Sequence, residues 1–141
     1  PLDRGALRAL VFADPAARAR LEAILHPLVR EALMHHASAA QGPYALVVVP
    51  LLFETGGYSR WMSRTVVGDC SERLQVQRTA ARSGLSEAEI RAIMATQWPR
   101  WRRLQVADEV LWNGGDREGL RRQCEALHAR LCALAGSHRG G

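Results

Sequence analysis

Apolar positions in the first forty or so residues recur at helical spacing. Leu7, Leu10 and Val11 mark one amphipathic segment over residues 2–12. Asp14-Pro15 is a helix start, with Asp14 as the cap and Pro15 suited to the first helical position. Leu21, Ile24 and Leu25 carry a second segment. His26-Pro27 is expected to break or kink it, because the residue before a proline is pushed out of the helical region. Leu28, Val29, Leu33 and Met34 resume the pattern to about Ala40. After the turn Gln41-Gly42-Pro43 the pattern changes. Ala45-Leu46-Val47-Val48-Val49 is an unbroken apolar run, rich in β-branched residues, too short for a buried helix and right for a strand covered on both faces. Pro50 ends it, having no N–H for a ladder. Ligands in open α/β sheets lie beyond the carboxyl ends of the strands, which makes Pro50 to Glu54 a candidate site. A core strand followed by an ordinary apolar turn is the plainer alternative.

The second half alternates in the same manner. Glu54-Thr55-Gly56-Gly57 opens a loop, residues 58–64 suggest a short helix or turn, and Thr65-Val66-Val67 a second strand. Ser71 caps a helix from Glu72 to about Ser83, with Gly84 as its stop. Ser86 and Glu89 form a capping box for the next helix, which sets Ile90, Ile93 and Met94 on one side. Trp98 to about Ala107 is a further helical segment, and Glu109 to Trp112 a third strand ended by Asn113-Gly114-Gly115. Asp116 caps a last helix whose apolar stripe is Leu120, Cys124, Leu127, Leu131 and Leu134, with Gly136 past its end and residues 137–141 a frayed tail. Strands separated by helices predict an α/β fold with a parallel sheet.

Composition narrows the function classes. The 141 residues are 48% hydrophobic, enough for one domain with a core. No apolar run approaches the ~20 residues of a membrane span, and the start does not resemble a signal peptide. Three cysteines at no metal-ligand spacing point to reduced thiols and a cytoplasmic setting, with Cys124 and Cys132 as small packing residues. The net charge of +5 suggests an anionic partner. All 19 basic residues are Arg, so nothing here can act as a P-loop lysine, and no G-x-x-x-x-G-K-[ST] occurs.

Several residues carry candidate chemistry beside a plainer role. Arg78 and Arg82, four apart, share one helix face and suit phosphate oxygens, or are simply a solvated face. Trp98, Arg100, Trp101, Arg102 and Arg103 interleave aromatics with cations, which can stack bases, or can be a packed helix whose arginines snorkel. His26 can contact a ligand or satisfy a carbonyl. Glu54 can bind a hydroxyl or a metal-bound water, or cap a turn. Asn113-Gly114 is most simply a turn.

Taken together, Asp3-Arg4…Leu7-Arg8…Val11-Phe12, His26-Pro27, Pro50-Leu51-Leu52-Phe53-Glu54, Gln75-x-x-Arg78-x-x-x-Arg82, Gln97, Ala107-Asp108 and Asn113-x-Gly115 resemble the dephospho-coenzyme A kinase family from about Asp3 to Leu134. The resemblance implies a P-loop nucleotide-kinase-like fold, a three-layer parallel sheet with helical substrate-binding and lid regions. It implies ATP with Mg2+ as phosphate source and dephospho-CoA as acceptor, phosphorylated on the ribose 3′-hydroxyl. No membrane and no nucleic acid are expected as partners, and oligomeric state stays open. By that similarity residues 1–42 are the helical substrate-binding region, 43–70 core strands, 71–105 the lid, and 106–141 a core strand and the C-terminal helix. His26, Pro50, Leu51 and Glu54 fall near the acceptor. Arg78 and Arg82 would stabilise the transferring phosphate, Arg103 would add a basic residue at the lid's return, and Asn113, Gly114 and Gly115 would meet the adenine. No metal ligand is assigned.

The departures are as informative. The family's first strand, its Gly-rich loop with the phosphate lysine, and the acidic pair holding the general base all precede the region matching Asp3. An amino-terminally truncated chain lacking the first strand and P-loop is therefore expected. That strand would lie between Ala45–Val49 and Thr65–Val67, so this chain alone is expected to be loose or aggregation-prone, and inactive. Trp98-Pro99 and Trp112 stand where polar residues are implied, a difference expected to alter packing rather than chemistry. The alternatives are another P-loop nucleoside or nucleotide kinase and a basic RNA-binding module.

Overall fold

The computed structural model describes residues 3–138. Expectations placed on Pro1, Leu2, the side chains of Arg4, Arg8 and Phe12, and residues 139–141 lie outside the described residues. The chain divides into two compact units, Pro1–Val47 and Val48–Gly141.

The first unit is a helical pair. Helix α1 (Arg4–Ala13) begins where the Asp3 carboxylate accepts hydrogen bonds from the N–H groups of Gly5 and Ala6, both at 2.9 Å. Asp14 then serves both helices, donating its N–H to Leu10 O and accepting from Ala16 N at 2.8 Å. Helix α2 (Pro15–Ser38) has Pro15 in its first turn and runs on without interruption, with Pro27 inside it. The expected break at His26 does not occur. Every residue from Ala23 to Val29 is exposed, so the carbonyl that Pro27 leaves without a donor can turn to water. Ala17 is buried in this unit, whereas Ile24, Leu25, Leu28 and Val29 are exposed.

The second unit holds a parallel two-stranded sheet, β1 (Val66–Asp69) beside β2 (Glu109–Trp112), in register from Val66 opposite Glu109 to Asp69 opposite Trp112. Strand β1 starts one residue later than expected and runs two further. The connection between the strands is helical. It passes through α4 (Glu72–Ser83), α5 (Glu87–Ala95) and α6 (Arg100–Val106), after which β2 leads to α7 (Arg117–His138). Ser71 caps α4 by accepting from Leu74 N, and Gly84 ends it at φ 70°, a left-handed conformation that glycine adopts without a side-chain clash. The capping box at Ser86 and Glu89 forms in both directions. Helix α7 includes Gly136 and reaches His138, beyond the expected stop. Leu127 is its buried anchor, and Cys124, expected to pack, is exposed.

The first of the three expected strands does not form among the described residues. Ala45–Val49 has no strand assignment and pairs with nothing in the sheet, while Leu46 is 71% and Val48 79% exposed. A strand is completed by its neighbour's N–H and C=O groups, and the described residues supply none to this stretch. Pro50 and Leu51 accordingly do not end a strand. They lead into a short helix, α3 (Leu52–Thr55), followed by Gly56 and Gly57 at φ 61° and 77°.

Candidate functional site

The two ends of the β1–β2 ladder are built differently. At the amino end Asp108 fastens the strands, its Oδ2 accepting from both the N–H and the hydroxyl of Thr65 at 2.7 Å, with Arg64 at 3.6 Å. These hydrogen bonds, led by the Thr65 hydroxyl, hold the Asp108 carboxyl below the ordinary aspartate range.

At the carboxyl end the polar groups converge. Asn113 N–H donates to Asp69 O at 2.7 Å, carrying the ladder one step past β2. The Asp69 side chain, only 5% exposed, is held by both arms of Arg100, Nε at 2.8 Å and Nη2 at 2.6 Å. Donating to the Asp69 carboxylate raises the Arg100 pKa further, which fixes a permanent cation at the start of α6. Gln123 of α7 clasps the end of β2, accepting from Trp112 N–H at 2.8 Å and donating to Trp112 O at 3.1 Å.

Arg78 joins this cluster from α4, where its Nη1 donates to Asn113 O at 2.7 Å. Arg82 sits one turn further along α4, in its exposed last turn. Arg103 lines a cavity of about 340 Å³ with Gln75, Arg91, Gln97 and Arg100. Its Nε is buried without a hydrogen-bond partner. Of the neighbouring arginines, Arg91 is paired with Glu87 and Arg100 with Asp69.

Glu54, on α3, accepts from the backbone N–H of Trp98 at 2.7 Å. Phe53 stacks on the Trp98 ring at 5.7 Å, and the Arg102 guanidinium lies 3.7 Å from that ring's centroid. Pro50, Leu51 and Glu54 therefore belong to the segment that meets the start of α6. Asn113 and Gly115 are exposed and Gly114 is half-buried in the loop after β2. His26 lies on α2 in the other unit, exposed and preceding Pro27. Asp69 and Gln123 are not legible as site residues, and Arg100, singled out only as one cation of the Trp98–Arg103 segment, is not legible as the partner of Asp69. Their partners lie 31 and 11 positions away, and no local spacing announces them. No cluster of three His, Cys, Asp or Glu side chains able to hold a metal ion occurs among the described residues.

Helix-linked parallel strands, with Arg78 and Arg100 at their carboxyl ends, are consistent with the P-loop-kinase-like class of α/β proteins. A family model described as dephospho-CoA kinase matches residues 1–118. The chain belongs to the dephospho-CoA kinase family. It is 52% identical over 134 residues to a dephospho-CoA kinase of Thiobacillus denitrificans, covering 95% of this chain and 66% of the relative. The corresponding protein of Nitrosospira multiformis is 49% identical, with 95% and 67% covered. The crystal structure of TT1252 from Thermus thermophilus superposes with a TM-score of 0.74 at 41% identity, covering 92% of this chain and 68% of that one. Dephospho-CoA kinase from Campylobacter jejuni, at 24% identity and a TM-score of 0.68, shares the fold. The chain thus spans about two thirds of the length of the curated relatives it matches.

Proposed function

We propose that this chain supplies the lid, the nucleotide loop and part of the acceptor region of an ATP-dependent kinase acting on the ribose 3′-hydroxyl of dephospho-CoA. In that reaction the acceptor oxygen bonds to the γ-phosphorus of ATP, the bond to the β–γ bridging oxygen breaks, the hydroxyl proton leaves to a base, and ADP departs. Phosphoryl transfer is mostly positioning and charge neutralisation, which guanidiniums perform well.

The observation that carries this reading is the 2.7 Å bond from Arg78 to Asn113 O, which ties the phosphate-facing helix to the loop assigned to the base. With one Nη committed there, the rest of the Arg78 fork is available to a phosphate oxygen, and Arg82 offers a second. Arg103 contributes the cation whose buried Nε lacks an internal acceptor. Residues 71–105 form the lid, and its closure excludes water that would otherwise compete with the acceptor. Glu54, Pro50 and Leu51 serve the acceptor side, and His26, on the other unit, is assigned to the acceptor by the family resemblance alone. Magnesium travels with ATP. No step on this chain is routed through it.

The working setting is cytoplasmic. Three free cysteines fit a reducing compartment, and no described helix is long and apolar enough to cross a membrane. An RNA-binding role for Trp98–Arg103 is disfavoured by internal commitments, since Asp69 holds Arg100 and Phe53, Glu54 and Arg102 engage Trp98.

The test is a fusion. The amino-terminal third of the Thiobacillus denitrificans relative is joined ahead of Asp3, and phosphate transfer from ATP is followed with dephospho-CoA and with a panel of nucleoside monophosphates. The fusion is expected to phosphorylate dephospho-CoA in preference to the monophosphates, and the 141-residue chain alone to be inactive. Transfer to a monophosphate instead, or activity of the chain alone, would overturn the proposal.

A further inference from the structure

Trp112 ends β2 on a rigid mount. Gln123 holds its backbone in both directions, Arg78 holds the next carbonyl, and the register sets it beside Asp69. The residue is nevertheless 41% exposed, at the carboxyl end of a parallel strand. Gly114 explains how the ring is seated. A Cβ added there would fall 2.2 Å from Cζ2, 2.5 Å from Cε2 and 2.8 Å from Cη2. The two flanking ring atoms are scarcely farther than Cζ2 itself, so that Cβ would stand over the plane of the ring, not off its edge. The backbone at Gly114 therefore passes close over the indole, an approach open only to glycine. The Arg100 guanidinium, locked by Asp69, is 5.9 Å from the ring centroid.

A fixed, half-bare indole flanked by a cation and an arginine-held loop suits a flat aromatic ligand that carries negative charge elsewhere. Stacking gains dispersion and burial from the whole face of such a ligand, and a mount already held by Gln123 and Gly114 loses little freedom on binding. A sugar or an aliphatic chain gains less from the same surface. We infer that the exposed part of the Trp112 indole is the stacking platform for the purine of the nucleotide whose phosphates meet Arg78. This rests on the nucleotide reading above and adds to it a residue that the family resemblance does not assign. It also revises the expectation that Trp112 alters packing only.

The experiment compares ATP with tripolyphosphate, which has the phosphates without the base. Each is titrated into the 141-residue chain by calorimetry, with tryptophan emission followed in parallel. W112L is expected to weaken ATP between about fivefold and a hundredfold, and W112F to retain ATP affinity within about threefold. Neither should change tripolyphosphate affinity. G114A, whose methyl would enter the ring and tilt it, is expected to act as W112L does, and with W112F it decides the matter if W112L fails to fold. Unchanged ATP affinity in W112L and G114A overturns the platform and leaves the nucleotide reading standing. Equal weakening of ATP and tripolyphosphate also overturns it, because the ring would then only shape the loop. Failure of the wild-type chain to bind either ligand overturns the platform, and the fusion described above then decides the nucleotide reading.

Discussion

Asp69 and Asp108 sit at opposite ends of the same small ladder and illustrate two uses of a carboxylate. Asp69 is buried and spends both oxygens on Arg100, orienting a cation at the carboxyl end where anions are expected. Asp108 is more open and ties Thr65 of one strand to the start of the other. Because the folded Asp108 carboxyl is held below its ordinary value, the stability it contributes is complete above the unfolded value of ~3.9 and is lost as pH falls through the lowered folded value. Asp108→Asn should therefore cost about 1 kcal/mol near neutral pH, the exposed position keeping the figure modest. Urea melts of wild type and variant should converge as pH drops from about 5 toward the folded value. A gap that stayed constant across that range would show that the charge contributes nothing.

Elements differ in how far their own residues determine them. The caps at Asp14, Ser71 and Ser86 act within three residues, and each forms as the sequence indicates. Strand β2 was equally legible, because its apolar Val110-Leu111-Trp112 run and its Asn-Gly-Gly ending are local. The apolar run Ala45–Val49 has the strongest strand composition in the chain and forms no strand, since a strand is finished by a neighbour and composition cannot provide one. Pro27 failed as a helix breaker for a related reason, since its effect depends on whether water can serve the freed carbonyl. At the site, the spacing of Arg78 and Arg82 and the loop at Asn113 could be read directly. The Asp69–Arg100 pair and the Gln123 clasp could not, being products of the tertiary fold. An exposed, β-branched run without ladder partners is a template for pairing with other chains. Val48→Lys should slow aggregation of the 141-residue chain markedly, measured by light scattering at fixed concentration, with its melting temperature unchanged. Equal aggregation of the two proteins would place the sticky surface elsewhere.

Over the whole molecule, charge is arranged more definitely than the core. The buried hydrophobic residues among those described are Ala17, Tyr58, Val76, Ile90 and Leu127, a thin set beside the many exposed large ones. Against this loose background, the carboxyl end of the sheet is cross-tied by Arg100, Arg78 and Gln123. Such an arrangement places guanidiniums on a stiff frame, as a transferring phosphate requires. The central claim is that Arg78 and Arg82 of α4 grip the phosphates of one nucleotide whose base lies by the Asn113–Gly115 loop. Calorimetric titration of ATP into the wild-type chain and into a variant carrying both R78Q and R82Q tests it most directly. The account predicts saturable binding to wild type that weakens with added salt, and at least about a tenfold loss of affinity in the double variant without a change in helical content. Equal affinity in the two proteins would contradict it.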